Sequence, residues 1–143
     1  MATRSTLHIM TKDWNGTQWY DLYRHWDGYP EVTGAVLAKL IKQSDDTDEL
    51  LRKVLQVNTG KYLNKKDYCW ELTSSEHDDR EWSYEIRPKT IKVTQKLLDT
   101  KGTEVVRFDG NYQQYRDYIA GLLKPYYKRV KEWKKNINQK GTA

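Results

Sequence analysis

One cysteine, one phenylalanine, two methionines and three prolines among 143 residues leave several classes of protein out of reach. With Cys69 alone, the chain can form no internal disulfide and no cysteine-rich metal cluster. The opening MATRSTLHIM has neither the basic start nor the long apolar run of a secretory signal, so a reducing, cytoplasmic setting is expected. Apolar runs are only a few residues long, far short of the roughly 20 that a membrane span requires, and no membrane partner is expected. Neither an EF-hand spacing, a phosphate-binding glycine pattern nor a recognisable His or Cys pairing is present, so no metal or cofactor is expected either.

What the chain does have is tryptophan and tyrosine. Hydrophobic residues make up only 37% of it, yet it carries six Trp and eleven Tyr. These side chains bury large areas but bring a polar atom that needs a partner, which predicts a core ringed by hydroxyl and indole hydrogen bonds. The length suits one domain. The formal charge of +5 is unevenly spread. From Lys124 to the end there are seven basic residues and one acid, a net of +6, which leaves −1 for residues 1–123. The expected organisation is a nearly neutral core domain over 1–123 with a basic C-terminal helix or tail, 124–143, continuous with it.

Period-2 alternation in RSTLHIMTK predicts a strand with Leu7 and Ile9 buried. Asn15-Gly16 follows, a dipeptide suited to a type I′ turn, and the aromatic run after it completes a β-hairpin. On this second strand Trp19, Asp21, Tyr23 and His25 share one side and Tyr20, Leu22, Arg24 and Trp26 the other, with both sides expected to be covered. Asp27-Gly28 is turn chemistry, and Pro30 suits the first turn of a helix whose apolar positions are Val32, Val36, Leu37, Leu40 and Ile41. Asp46 and Glu49 resemble a capping box before a second helix through Leu55, ending near Asn58–Gly60. Short alternating runs at 68–72, 82–86, 91–93 and 104–108 read as strands of a meander, with Asp109-Gly110 as a turn. Finally Tyr115, Ile119, Leu122, Tyr126, Val130, Trp133 and Ile137 form one apolar stripe on a helix, and Pro125 predicts a kink or break near Leu123.

The most polar and aromatic cluster is WYDLYRHWDGYPE, residues 19–31. Trp19, Tyr23, Arg24, His25, Trp26, Asp27 and Tyr29 form the candidate binding site, Arg24 and His25 donating hydrogen bonds to an anionic group while the aromatics stack on it. His25 and Asp27, with the acidic stretch Glu76, Asp78, Asp79 and Glu81, are the residue types of a small metal-dependent hydrolase or nuclease, without its ligand spacing. The ridge Lys124, Lys128, Lys131 and Lys135, opposite the apolar stripe, is the candidate nucleic-acid contact. Cys69, within an alternating run, reads as a small core hydrophobe rather than a nucleophile.

The opening Met1-Ala2-Thr3-Arg4-Ser5-Thr6, then Tyr23-Arg24-His25-Trp26-Asp27-Gly28-Tyr29-Pro30-Glu31 and Gly34, resembles a family of small proteins encoded by bacteriophages and prophages. The likeness covers about the first 35 residues; the runs 82–86 and 106–110 are compatible with the family's later strands. Members commonly carry Cys where this chain has Arg24, so no thiol chemistry beside His25 carries over. The resemblance implies an accessory viral protein acting in the cytoplasm of a bacterial host, and it implies no catalytic residues.

The combined expectation is a single α+β domain: an antiparallel sheet of five or six strands with an α-helical hairpin and a C-terminal helix packed on it. The expected function is non-enzymatic, binding a host protein or a nucleotide-like ligand, as an inhibitor of a host defence system would. A nucleic-acid binder using the basic helix is the first alternative and a metal-dependent hydrolase the second.

Overall fold

The computed structural model describes residues 3–57, 70–73 and 80–140. Strand β1 (Ser5–Asp13) pairs antiparallel with β2 (Gly16–Arg24), placing Leu7 opposite Leu22 and Ile9 opposite Tyr20. Leu7 and Ile9 are fully buried, as the alternation requires. The reversal differs in detail from a type I′ turn. Trp14 and Asn15 form the corner without positive φ, and Gly16 supplies the left-handed conformation at +108°, opposite Asp13. Only the end of β2 is covered on both sides; its first half, including Trp19 and Tyr20, is exposed.

The sheet has six strands in the order β3-β2-β1-β4-β5-β6, with β3 at Glu71–Thr73, β4 at Trp82–Ile86, β5 at Thr90–Lys96 and β6 at Glu104–Asn111. It is mixed rather than antiparallel throughout, because β4 runs parallel to β1, Leu7 beside Tyr84 and Ile9 beside Ile86. β3 occupies the outer edge of β2, so the chain re-enters the sheet at the other edge of β1 and in the same direction. From there β4, β5 and β6 form the expected meander, with a bulge between Val93 and Thr94.

Pro30 opens a π-helical turn, Pro30–Gly34, which passes into α1 (Ala35–Lys42). α2 (Thr47–Val57) starts on the anticipated cap: the Asp46 carboxylate accepts from Glu49 N–H at 2.8 Å, and Glu49 reaches back to Asp45 N–H at 2.8 Å. That second bond is the main reason the Glu49 carboxyl is held below its ordinary pKa. α3 spans Tyr112–Lys140. Asp109-Gly110, expected to form a turn, belongs instead to β6, which runs directly into α3 through a reciprocal cap between Asn111 and Gln114, both bonds near 2.9 Å. Gly110 leaves room for that cap, because a Cβ would stand 2.6 Å from Gln114 Oε1 and 2.9 Å from Phe108 Cζ and would push those side chains aside.

All three helices pack on one face of the sheet. Leu37, Leu40, Ile41, Leu50, Val54, Tyr115 and Ile119 meet Leu7, Ile9, Leu22, Tyr84, Ile86, Ile91 and Val93 in one core. Tyr115 donates a 2.8 Å hydrogen bond to the Gly34 carbonyl, and a Cβ on Gly34 would lie 2.8 Å from Ile119 Cδ1, so α3 touches the start of the first helix backbone to side chain. Pro125 does not break α3; the helix is continuous across it. What changes there is burial. Residues up to Leu123 pack on the domain, whereas nearly every residue from Lys124 to Ile137 is exposed.

Candidate functional site

β2 ends at Arg24, and the next five residues turn the chain from sheet to helix. Asp27 takes the left-handed conformation, φ 53°, unusual for a residue with a Cβ. Gly28 follows because nothing larger fits: a Cβ would lie 2.6 Å from Ser5 Cβ and 2.9 Å from the Arg4 carbonyl carbon. The turn is pinned by Gly28 N–H donating to Thr3 O at 2.8 Å, Tyr84 hydroxyl donating to Gly28 O at 2.7 Å, and Thr33 hydroxyl donating to Asp27 O at 2.7 Å. Tyr29 hydroxyl donates to the Asp27 carboxylate at 3.3 Å; partial burial and that carboxylate raise its pKa. Asp27, Gly28 and Tyr29 are therefore accounted for as the joint between β2 and the first helix.

The seven candidate residues do not form one pocket. Tyr23 and His25 lie together on the helix-free side, hydroxyl to Nδ1 at 3.0 Å, with the Trp26 ring edge-on to His25 at 4.8 Å. Trp19 is further along that same face, where it stacks on His8 at 4.1 Å with Arg87 over its ring. Arg24 points the other way, toward the helices. Alternation along the strand separates it from His25, so the joint recognition of one anion by Arg24 and His25 is not built here.

Arg24 nevertheless lies in a site of its own. It is 1% exposed, its Nε donates to Trp26 O at 2.9 Å, and its guanidinium carbon lies 4.9 Å from the centroid of the buried Trp70 ring. These two groups, with Val36, Lys39, Leu40 and Gln43 of α1 and its C-terminus and Val57 of α2, line a cavity of about 340 Å³. Its walls are mainly aliphatic and aromatic, and its side-chain polar groups are one guanidinium, one ammonium, one amide and the Trp70 indole N–H. At the wall of such a cavity Arg24 offers a planar fork matched to carboxylate or phosphate. Lys39 at the exposed rim adds a second positive charge. The sequence pattern singles out Arg24 but gives no sign that Lys39 and Trp70 stand beside it.

A second polar cluster occupies the helix-free face. His8 and Asp21 are cross-strand neighbours, and His8 Nδ1–H donates to the Asp21 carboxylate while the ring stacks on Trp19. Beside them is a cavity of about 230 Å³ lined by His8, Arg80, Ser83, Glu85, Lys92, Thr94 and Glu104. Arg80 pairs with Glu104 at 3.1 Å and Arg87 with Glu85 at 3.4 Å, so charges of both signs are already matched across this surface. The pairing of His8 with Asp21 was invisible as a motif because thirteen residues separate them; only the strand register joins them.

Among the described residues no group of three or more His, Cys, Asp and Glu is placed to hold a metal ion. Cys69 and most of the acidic stretch, from Glu76 to Asp79, lie outside the described residues. Lys124, Lys128, Lys131 and Lys135 do form an exposed ridge on α3. No described helix is long and apolar enough to cross a membrane. Comparison with protein-family models, curated proteins and solved structures finds no match to the chain.

Proposed function

We propose that this is a non-enzymatic accessory binding protein of phage or prophage origin whose ligand is a small anion with an apolar or planar part, of the nucleotide class. The observation that carries the ligand assignment is the nearly inaccessible guanidinium of Arg24 at the wall of a largely apolar cavity, backed by Trp70 and faced by Lys39. Its volume sits at the lower end of the roughly 300–1,000 Å³ typical of small-ligand pockets, and one or two convergent charges in an apolar lining are what such pockets use for orientation. The phage origin is supported by the MATRST opening and the YRHWDGYPE run. In a bacterial host, such a protein would act against a defence system by sequestering a ligand rather than by turning it over.

The test is a calorimetric titration of the full chain with AMP, GMP, CMP and UMP, with adenosine and inorganic phosphate as partial probes. The reading expects a monophosphate to bind more tightly than either fragment alone. Adenosine binding as well as AMP would remove the anion from the account. The Lys124, Lys128, Lys131 and Lys135 ridge supports the alternative of nucleic-acid binding, which would show as a steep salt dependence for a DNA or RNA oligomer.

A further inference from the structure

The apolar stripe of α3 runs past the domain that uses it. Tyr115 and Ile119 are buried in the core and Leu122 is packed against it, but the same stripe continues at four, three and four residue steps through Tyr126, Val130, Trp133 and Ile137. There Tyr126 is 60%, Trp133 63% and Ile137 46% exposed. At about 1.5 Å per residue, the stretch from Lys124 to Lys140 extends about 25 Å. A helical seam of this length, in register with a seam already packed on another helix, has the geometry of helix pairing.

The charges decide what covers it. At 100° per residue, Arg129 and Lys134 border the seam on its two sides, while Lys124, Lys128, Lys131 and Lys135 point away from it. A second copy of this helix would bring cations against cations along both borders. A phosphate backbone lying on the four-lysine ridge would leave Trp133 and Ile137 exposed. A helix with an apolar stripe bordered by Glu or Asp satisfies seam and borders together. We propose that the projecting half of α3 docks an acidic amphipathic helix of a partner protein, the seam Tyr126, Val130, Trp133 and Ile137 giving contact area and Arg129 and Lys134 giving charge specificity.

The experiment uses the full chain and two labelled 21-residue peptides, both with Leu at heptad positions a and d, one with Glu and one with Lys at e and g. Fluorescence anisotropy should show binding of the Glu peptide only. Trp133→Ser and Ile137→Ser, exposed in the free protein and so harmless to folding, should each weaken it at least about tenfold. The triple reversal Lys128→Glu, Lys131→Glu and Lys135→Glu should change it by less than about threefold. Equal affinity for both peptides, or none for either, overturns the proposal. So does self-association in sedimentation that Trp133→Ser abolishes, flotation of the chain with anionic vesicles, or DNA binding that consumes the seam.

Discussion

The hydroxyl of Tyr84, in the middle of the sheet, donates a 2.7 Å hydrogen bond to the carbonyl of Gly28, fifty-six residues away. That bond fastens the Asp27-Gly28 turn to the core and sets the direction in which β2 hands over to the first helix. The strand register, with Arg24 opposite Ser5, sets Arg24 on the helical side, and the joint begins directly after it. The candidate pocket is therefore bordered by a joint that contributes no atom to its lining.

Gly28→Ala tests the joint. The new methyl must displace the Cβ of Ser5, the first residue of β1, and the backbone of Arg4, neither of which is a flexible side-chain end. Overpacking of this kind costs about 1–3 kcal/mol. Urea unfolding should show the loss at an unchanged slope, and Asp27→Asn, which tolerates the left-handed conformation, should be close to neutral.

Burial of tyrosine hydroxyls predicts alkaline sensitivity. Desolvation pushes the pKa values of Tyr84 and Tyr115 well above 10.0, and that of Tyr112 up to about 12. The folded state therefore keeps protons that the unfolded chain releases from about pH 10. Stability should be level below that pH and fall as pH rises from there toward the folded-state values, by up to about 1.4 kcal/mol per pH unit for each fully buried group. Tyr115→Phe should reduce the slope measured by denaturation between pH 9 and 11. At neutral pH it should cost about 1–3 kcal/mol, because it leaves the Gly34 carbonyl without its donor.

Truncation after Leu123 probes the division of α3. Residues 124–137 contribute little to the core, so the unfolding midpoint in urea should move only slightly, by less than about 1 kcal/mol in free energy. Monophosphate binding should survive. A collapse in stability would show that the projecting half belongs to the fold.

Much of the architecture was legible in local pattern. Leu7 and Ile9, the 82–86 strand, the Asp46 and Glu49 cap and the α3 stripe all announce themselves through spacing, because they are set by backbone period and capping chemistry. Three features were not. The parallel pairing of β4 with β1 depends on which sheet edge is free once β3 has docked, a long-range competition with no local signature. Asp109-Gly110 reads as a turn in isolation, but pairing with Lys92 and Ile91 of β5 keeps both residues in the strand. The pocket around Arg24 draws on β2, α1, α2 and Trp70, four segments that no spacing rule connects. The aromatic run 19–31 was singled out correctly as unusual, yet it is divided among a joint, an outer face and one buried arginine.

Arg24 itself separates recognition from stability. Arg24→Met keeps an apolar stem of similar length but removes the hydrogen bond to Trp26 O and the cation–π contact with Trp70, so it should lower stability by about 1–3 kcal/mol while the chain still unfolds in one cooperative transition. Loss of cooperative unfolding would assign Arg24 to folding.

The most direct measurement is calorimetric titration of AMP into the unaltered chain, Arg24→Met and Lys39→Glu at low salt. The dissociation constant should lie below about 1 mM for the unaltered chain, at least tenfold weaker for Arg24→Met and several-fold weaker for the exposed rim variant Lys39→Glu. Undiminished binding by a folded Arg24→Met, or no monophosphate binding by the unaltered chain, would contradict it.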